Sequence, residues 1–326
     1  MRLLTVPSKY LISAFLISAL LSISLLLPLY DGFHAEDVPL YNQQVSDSFV
    51  IQPVESIWSN IGSKLTLDHK VQSVRVQAQI RSLLANKKKL YDILQSAAPY
   101  IYFIHQKTQA RHLPSEIALI PAIESEFNPN DRSKRGAAGL WQLMPDTAIE
   151  LGIKVRANYD GRRSVVSSTE AALAYFNDLK NDFHGNWDLA ISAYNCGQGK
   201  VKSATRRAGS NNFWNLKLPA ETKVYLPKLL AMAEIIKHPT KYGIKLPPVS
   251  NKPYFTRLEL NKPVNLVKIA KTTGTDLHTL HTLNPDYRHE YPLPNKHGAY
   301  TLLVPVKKVA AMKNTLASQV IQTQLD

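Results

Sequence analysis

Cysteine is nearly absent: Cys196 is the single thiol in 326 residues. No intramolecular disulfide can form, and no cysteine-based zinc site can be assembled. Acidic residues are also in short supply. The chain has 25 Asp and Glu against 39 Lys and Arg, a formal charge of +14 and a pI near 9.6. That sign favours an anionic partner (nucleic acid, a lipid headgroup surface or an acidic cell-wall polymer) or else a solvated basic surface. Metal-ligand spacing is missing as well. His105 and His112 have no histidine or carboxylate in step with them, so both read as core or surface residues and no metal is expected. What remains is 44% hydrophobic and 20% charged, a globular composition with length for two domains or one with appendages.

One long charge-free apolar run occurs, residues 10–30, preceded by Arg2 and Lys9. At about 20 residues it is long enough to span a bilayer. No small-x-small cleavage site follows convincingly, and no cysteine follows to carry a lipid. Residues 1–35 are therefore expected to be a signal-anchor, with a cleaved signal peptide as the alternative and no lipoprotein anchor. Basic residues on the Met1 side predict that the rest of the chain leaves the cytoplasm. Nucleic acid is then disfavoured as the anionic partner. Residues 36–56 are polar, lack a helical period and read as a tether.

From residue 57 onward helical periodicity dominates. A helical region is expected over 57–112, with Pro99 dividing the stretch 90–109 and the lysines at 87–89 marking a helix junction. Residues 113–238 form the next unit. Leu113-Pro114-Ser115-Glu116 has the chemistry of a helix start, and Pro121 is expected to kink the apolar run that follows. Glu124 lies three residues after Pro121, four after Ile120 and seven after Ile117, so it shares their apolar face. A carboxylate placed there, facing a Gly-rich loop, is how an acid with a raised pKa is built. Spacing alone leaves Glu126 equally eligible. Ser167, Ser168 or Thr169 is expected to cap a helix over 170–180, and Gly197 and Gly199 to end the helix 187–194. Residues 239–253 carry four prolines and read as a linker. Residues 254–306 alternate as strand, helix, helix and strand, and 307–326 read as a polar tail.

Four blocks carry a resemblance. They are Glu124-Ser125-x-Phe127-Asn128-Pro129, Gly136-Ala137-Ala138-Gly139-Leu140-Trp141-Gln142, Ala193-Tyr194-Asn195-x-Gly197 and Glu221-Thr222-x-x-Tyr225. In this order they resemble the lysozyme-like lytic transglycosylase domain of bacterial cell-wall enzymes. Val76-Gln77-Ala78-Gln79 and the stretch from Pro99 to Ile104 extend the similarity to the D-type membrane-bound lytic murein transglycosylases. Residues 266–270, 280–285 and 302–305 look like a divergent LysM module. Asn261-Lys262-Pro263 stands where that module usually has Gly-Asp-Thr, which leaves it as a glycan binder or as a brace for the catalytic domain. Cys196 occupies a position that is usually alanine.

The resemblance implies a mainly α, goose-lysozyme or soluble lytic transglycosylase type of catalytic domain, followed by a small α+β LysM-like module. It implies cleavage of the MurNAc-β-1,4-GlcNAc bond of peptidoglycan glycan strands without water, leaving 1,6-anhydro-MurNAc ends. No cofactor is needed. Glu124 would serve first as acid and then as base. Ser133 and Gln142 match positions that contact the sugar, Tyr194 matches a tyrosine near the carboxylate, and Glu221 lines the glycan groove. Met144 and Trp141 would touch sugar or pack, and Asn195 would hold its turn. A hydrolase of the same fold, using a second carboxylate such as Asp131, and a non-enzymatic peptidoglycan-binding scaffold are the alternatives.

Overall fold

Capping residues and prolines set where the helices begin. The computed structural model describes residues 55–156, 159–287, 294, 298–317 and 319–325. The apolar run 10–30 and nearly all of the tether 36–56 lie outside them. Among the described residues no helix is long and apolar enough to cross a membrane. Ser56 caps α1 (Ile57–Ser63) by accepting from the Trp58 amide at 3.3 Å. Next come α2 (Val74–Ala85), α3 (Lys87–Ser96) and α4 (Ile101–Ala110), the last two separated at Pro99 as the sequence predicts. The apolar run at 115–124 does not kink. It passes from a 3₁₀ turn (Ser115–Leu119) into α5 (Ile120–Glu124), which puts Pro121 in a first turn, where its missing N–H is harmless.

After α6 (Pro145–Glu150) a short antiparallel ribbon pairs β1 (Val155–Arg156) with β2 (Tyr159–Asp160). Helix α7 (Val165–Asp182) begins earlier than its polar residues indicate. Its cap is Ser164, which accepts from the Ser167 amide at 3.3 Å, while Ser168 and Thr169 are buried inside the helix. Helix α8 (Trp187–Cys196) ends at Gly197 with φ +89°, and α9 (Gln198–Ala208) restarts at once with Gly199 inside it. The sequence reading treated Gly199 as a stop and missed α9. Helix α10 (Ala220–Lys237) is buried along much of its length and packs on α1, α2 and α8, so it is the spine of the large core.

The spine is also tied through charge. His69 lies 3.1 Å from Glu234 and 3.3 Å from Glu116, with all three buried. Burial alone would lower the imidazole pKa, but the bonds to the two carboxylates outweigh it and raise it. His105 behaves as a core residue: it is fully buried, meets Asn60 at 3.0 Å and is pushed down to about 4 by burial.

The C-terminal module holds a sheet of order β4-β3-β5, all pairs antiparallel, from β3 (Phe255–Leu260), β4 (Tyr300–Pro305) and β5 (Val320–Leu325). Helices α11 (Leu266–Thr273), α12 (Leu277–Leu283) and α13 (Val309–Thr315) complete it, the first two capped by Asn265 and Asp276. Leu258, Leu266, Leu280, Leu302 and Met312 form its core. Asn284 donates to the Leu280 and Leu303 carbonyls and accepts from the Leu303 amide, each at 2.8 Å, which locks α12 to β4. The reading of 307–326 as a tail is corrected here. Its polar alternation supplies a helix and the third strand.

The proline-rich stretch 239–253 is pinned rather than loose. Val249 is buried and accepts from the Ile57 amide at 3.0 Å, and Asn251 donates to the Glu55 carbonyl at 2.9 Å. The module it leads to docks on the helices. Phe255 packs on Phe103 with ring centres 5.4 Å apart, Tyr100 donates to the Thr282 carbonyl at 3.1 Å, and Tyr159 donates to Asp286 at 3.2 Å.

Candidate active site

Glu124 is the last residue of α5, where the helix gives out beside an open cleft. Ser125 fixes that end by donating to the Leu140 carbonyl at 2.9 Å, and the Phe127 amide reaches back to Pro121 at 3.1 Å. Glu126 and Phe127 then take φ of +52° and +60°, a left-handed pair that reverses the chain. The reversal separates the two glutamates. Glu126 is exposed and pairs with Lys89 at 2.7 Å, whereas Glu124 faces the cleft.

Tyr225, on α10, donates its hydroxyl to Glu124 Oε1 at 2.6 Å. Among the described residues no hydrogen bond holds Oε2, which is therefore the oxygen free to carry a transferable proton. Burial pushes the Glu124 carboxyl up to about 7. The Tyr225 bond opposes the rise, Glu221 adds to it and Lys228 opposes it. A carboxyl raised toward neutral pH suits one group to giving and then taking a proton. Tyr225 and Tyr194 are both held protonated by burial, reinforced by the Glu124 charge.

The loop from Asn128 to Met144 forms one wall. Its shape is held by a buried guanidinium. Arg162 is 3% exposed, donates to the Gly136 carbonyl at 2.6 Å and the Leu143 carbonyl at 3.1 Å, and forms a two-pronged pair with Asp160 at 2.8 Å. Gly139, at φ +83°, passes so close that a Cβ would stand 1.9 Å from the Arg162 carbonyl oxygen. Ser133 accepts from the Ala137 amide at 3.0 Å, and Gln142, itself at φ +46°, donates to the Gly139 carbonyl at 2.9 Å. Trp141 is fully buried, donates to Thr169 at 3.0 Å and packs on Phe176, so it is core and not a sugar platform.

The opposite wall is built where α8 ends and α10 begins. Asn195 accepts from Thr222 at 2.7 Å and donates to Glu221 at 3.4 Å, joining the two helices. Glu221 also faces Arg135 across the cleft at 4.0 Å. The cleft measures about 940 Å³, and Glu124, Ser133, Gln142, Met144, Tyr194, Asn195 and Glu221 all border it. Met144 is 43% exposed and Val224 46%, an apolar surface on an otherwise polar rim.

Residues 101–217 match the Transglycosylase SLT domain, and residues 254–321 match the LysM-like domain of lytic transglycosylase MltD. A putative tributyltin chloride resistance protein of Alteromonas sp. is 35% identical over 173 residues, covering 52% of this chain and 82% of that protein. Membrane-bound lytic murein transglycosylase D of Escherichia coli K12 is 36% identical over 278 residues, covering 84% of this chain. The chain belongs to the SLT-domain lytic transglycosylase family. It spans 61% of the length of the Escherichia coli relative. Among solved structures, the 70 kDa soluble lytic transglycosylase of Escherichia coli aligns at 22% identity with a TM-score of 0.39, covering 56% of this chain and 32% of that one.

Tyr194 borders the cleft and feels the Glu124 charge, but its hydroxyl is engaged elsewhere. The Tyr194 hydroxyl donates to the Trp141 carbonyl at 2.7 Å and braces the loop, while its ring stacks on Phe176 at 4.4 Å. The tyrosine bonded to the acid is Tyr225, which closes the fourth sequence block but was not singled out there. Lys228 was missed as well. The signal for it lay in the helical spacing, since it follows Tyr225 by three residues.

Proposed function

We propose that this protein is a lytic transglycosylase that cleaves the MurNAc-β-1,4-GlcNAc bond of peptidoglycan strands without water. What carries the reading is Glu124, held at about 7 with one oxygen bonded to Tyr225 and the other without a hydrogen bond among the described residues, in a cleft also bordered by Ser133, Gln142, Met144, Tyr194, Asn195 and Glu221. Glu124 Oε2 gives its proton to the glycosidic oxygen, and the GlcNAc side leaves as an alcohol. Positive charge develops at C1 of the MurNAc ring. The Glu124 carboxylate, now stabilised by the Tyr225 hydroxyl, takes the proton of the C6 hydroxyl. That oxygen bonds to C1 and closes the 1,6-anhydro ring, which returns Glu124 to its protonated form. Gln142, Ser133 and Glu221 position the strand, and Met144 with Val224 supplies an apolar contact for a sugar face.

The strand is anionic and the chain is strongly basic, which favours their encounter. The same reading places residues 113–238 as the catalytic domain in the cell envelope, tethered by the apolar run 10–30. The LysM-like module acts at least as a brace, through its contacts with Phe103, Tyr100 and Tyr159.

Mass spectrometry of products from purified murein sacculi tests the chemistry. Anhydro ends, lighter than reducing ends by one water, are expected, and Glu124→Gln should lower their release by at least about a hundredfold. Reducing ends would show hydrolysis through a second carboxylate such as Asp131. Sedimentation with sacculi and no product from the unmodified protein would make it a binding scaffold.

A further inference from the structure

One cation in the cleft has neither a hydrogen bond nor an ion pair among the described residues. Lys228 projects from the same face of α10 as Tyr225 and borders the cleft with Glu124 and Glu221. It is partly buried and has no hydrogen bond or ion pair among the described residues. The other cations of the cleft differ from it. Arg135 is exposed and faces Glu221 at 4.0 Å, and Lys134 is exposed to water. A half-buried ammonium with no hydrogen-bond acceptor of its own can still take one from a ligand in the cleft. The position also works against the acid, because Lys228 pulls the Glu124 carboxyl down while burial pushes it up. A cation that opposes the proton on Glu124 is explained if the substrate itself neutralises it.

We propose that Lys228 is the docking point for a carboxylate of the glycan strand, carried beside the bond that Glu124 protonates, and that it makes the cleft prefer anionic strands. This rests on the reading of the cleft as a peptidoglycan-cleaving site. The strand offers such a carboxylate from two sources. The 3-O-lactyl arm of muramic acid ends in one when no peptide is attached, and stem peptides carry their own when one is. Either forms a charge-assisted hydrogen bond with the ammonium. Docking has a second effect. The groups facing Glu124 are Tyr225, Lys228 and Glu221 from α10 and Tyr194 from α8. Neutralising Lys228 removes a charge that favours the ionised acid, so the bound complex holds its proton better than the empty cleft does.

Binding to inactive protein tests this without turnover. Glu124→Gln, with and without Lys228→Met or Lys228→Arg, is titrated calorimetrically with three strand preparations. These are peptide-stripped strands, peptide-bearing strands, and peptide-bearing strands with the stem carboxylates amidated. Lys228→Met should reduce the preference for at least one anionic strand over the amidated one by roughly tenfold, the worth of one charge-assisted bond. Lys228→Arg should retain it. The anionic strand that loses its advantage identifies the source of the carboxylate. Equal weakening on all three preparations, or no change in preference, overturns the proposal. The two readings fail separately: anhydro products with no Lys228-dependent preference overturn the docking alone, and a charge preference without any product overturns the activity alone.

Discussion

Glu124 is a group that the fold holds at a loss, and replacing it should reveal the amount. Its carboxyl sits at about 7 against an ordinary value of 4.5. A raised carboxyl pKa means that the folded protein keeps a proton which the unfolded chain has released between those two values. Stability therefore falls as pH rises from 4.5 through 7 and levels off above. At about 1.4 kcal/mol per pH unit, the full difference comes to roughly 3 kcal/mol. Glutamine has the same shape, accepts the Tyr225 bond at Oε1 and never ionises. Glu124→Gln is thus expected to unfold at higher urea than the unmodified protein at pH 8, by up to about 3 kcal/mol, with the gain shrinking to nothing near pH 4.5. Urea titrations of both proteins at half-unit pH steps measure it. A stability difference that stays flat from pH 4.5 to 8 would refute the claim that burial raises this carboxyl.

Three further outcomes are expected. Tyr225→Phe removes the hydrogen bond to Glu124 that lowers its pKa, so the carboxyl should titrate about one unit higher in a ¹³C NMR experiment on glutamate-labelled protein. His69→Ala leaves Glu116 and Glu234 buried without their shared partner and should cost about 3 kcal/mol at pH 6. Because the His69 pKa is raised, its contribution is complete below 6.5 and is lost as pH climbs through the folded value, so the cost in urea unfolding should shrink toward pH 9. Gly139→Ala, at φ +83°, drives a methyl into the Arg162 carbonyl and should lower the unfolding free energy by about 3 kcal/mol or more, with loss of the cleft wall.

The acid and its frame were legible because they rest on local patterns. Ile117, Ile120 and Pro121 place Glu124 on a buried face, and the Gly-rich block announces a loop that turns tightly. The choice between Glu124 and Glu126 was not legible from spacing, since it depends on two non-glycine residues at positive φ that reverse the chain between them. Nor was the difference between Tyr194 and Tyr225, because a hydroxyl partner is fixed by the crossing of α8 and α10 and not by either helix alone. Ser164 was passed over as a cap because three other candidates followed it within five residues. Gly199 reads as a terminator until the buried Val201 and Ala204 beyond it are seen to support another helix. The strand 320–325 has no hydrophobic run of its own and gains its identity from pairing with β3.

The Arg162 guanidinium carries one more consequence. It grips the loop by two backbone carbonyls and is itself aligned by Asp160, so the contour of the wall is written into groups that face away from the cleft. Such a wall is ordered before any ligand arrives and loses little freedom when one binds. It also separates two kinds of information. The side chains of Lys134 and Arg135 are exposed and take no part in the grip, so the charge offered to a ligand can change while the shape of the wall stays fixed.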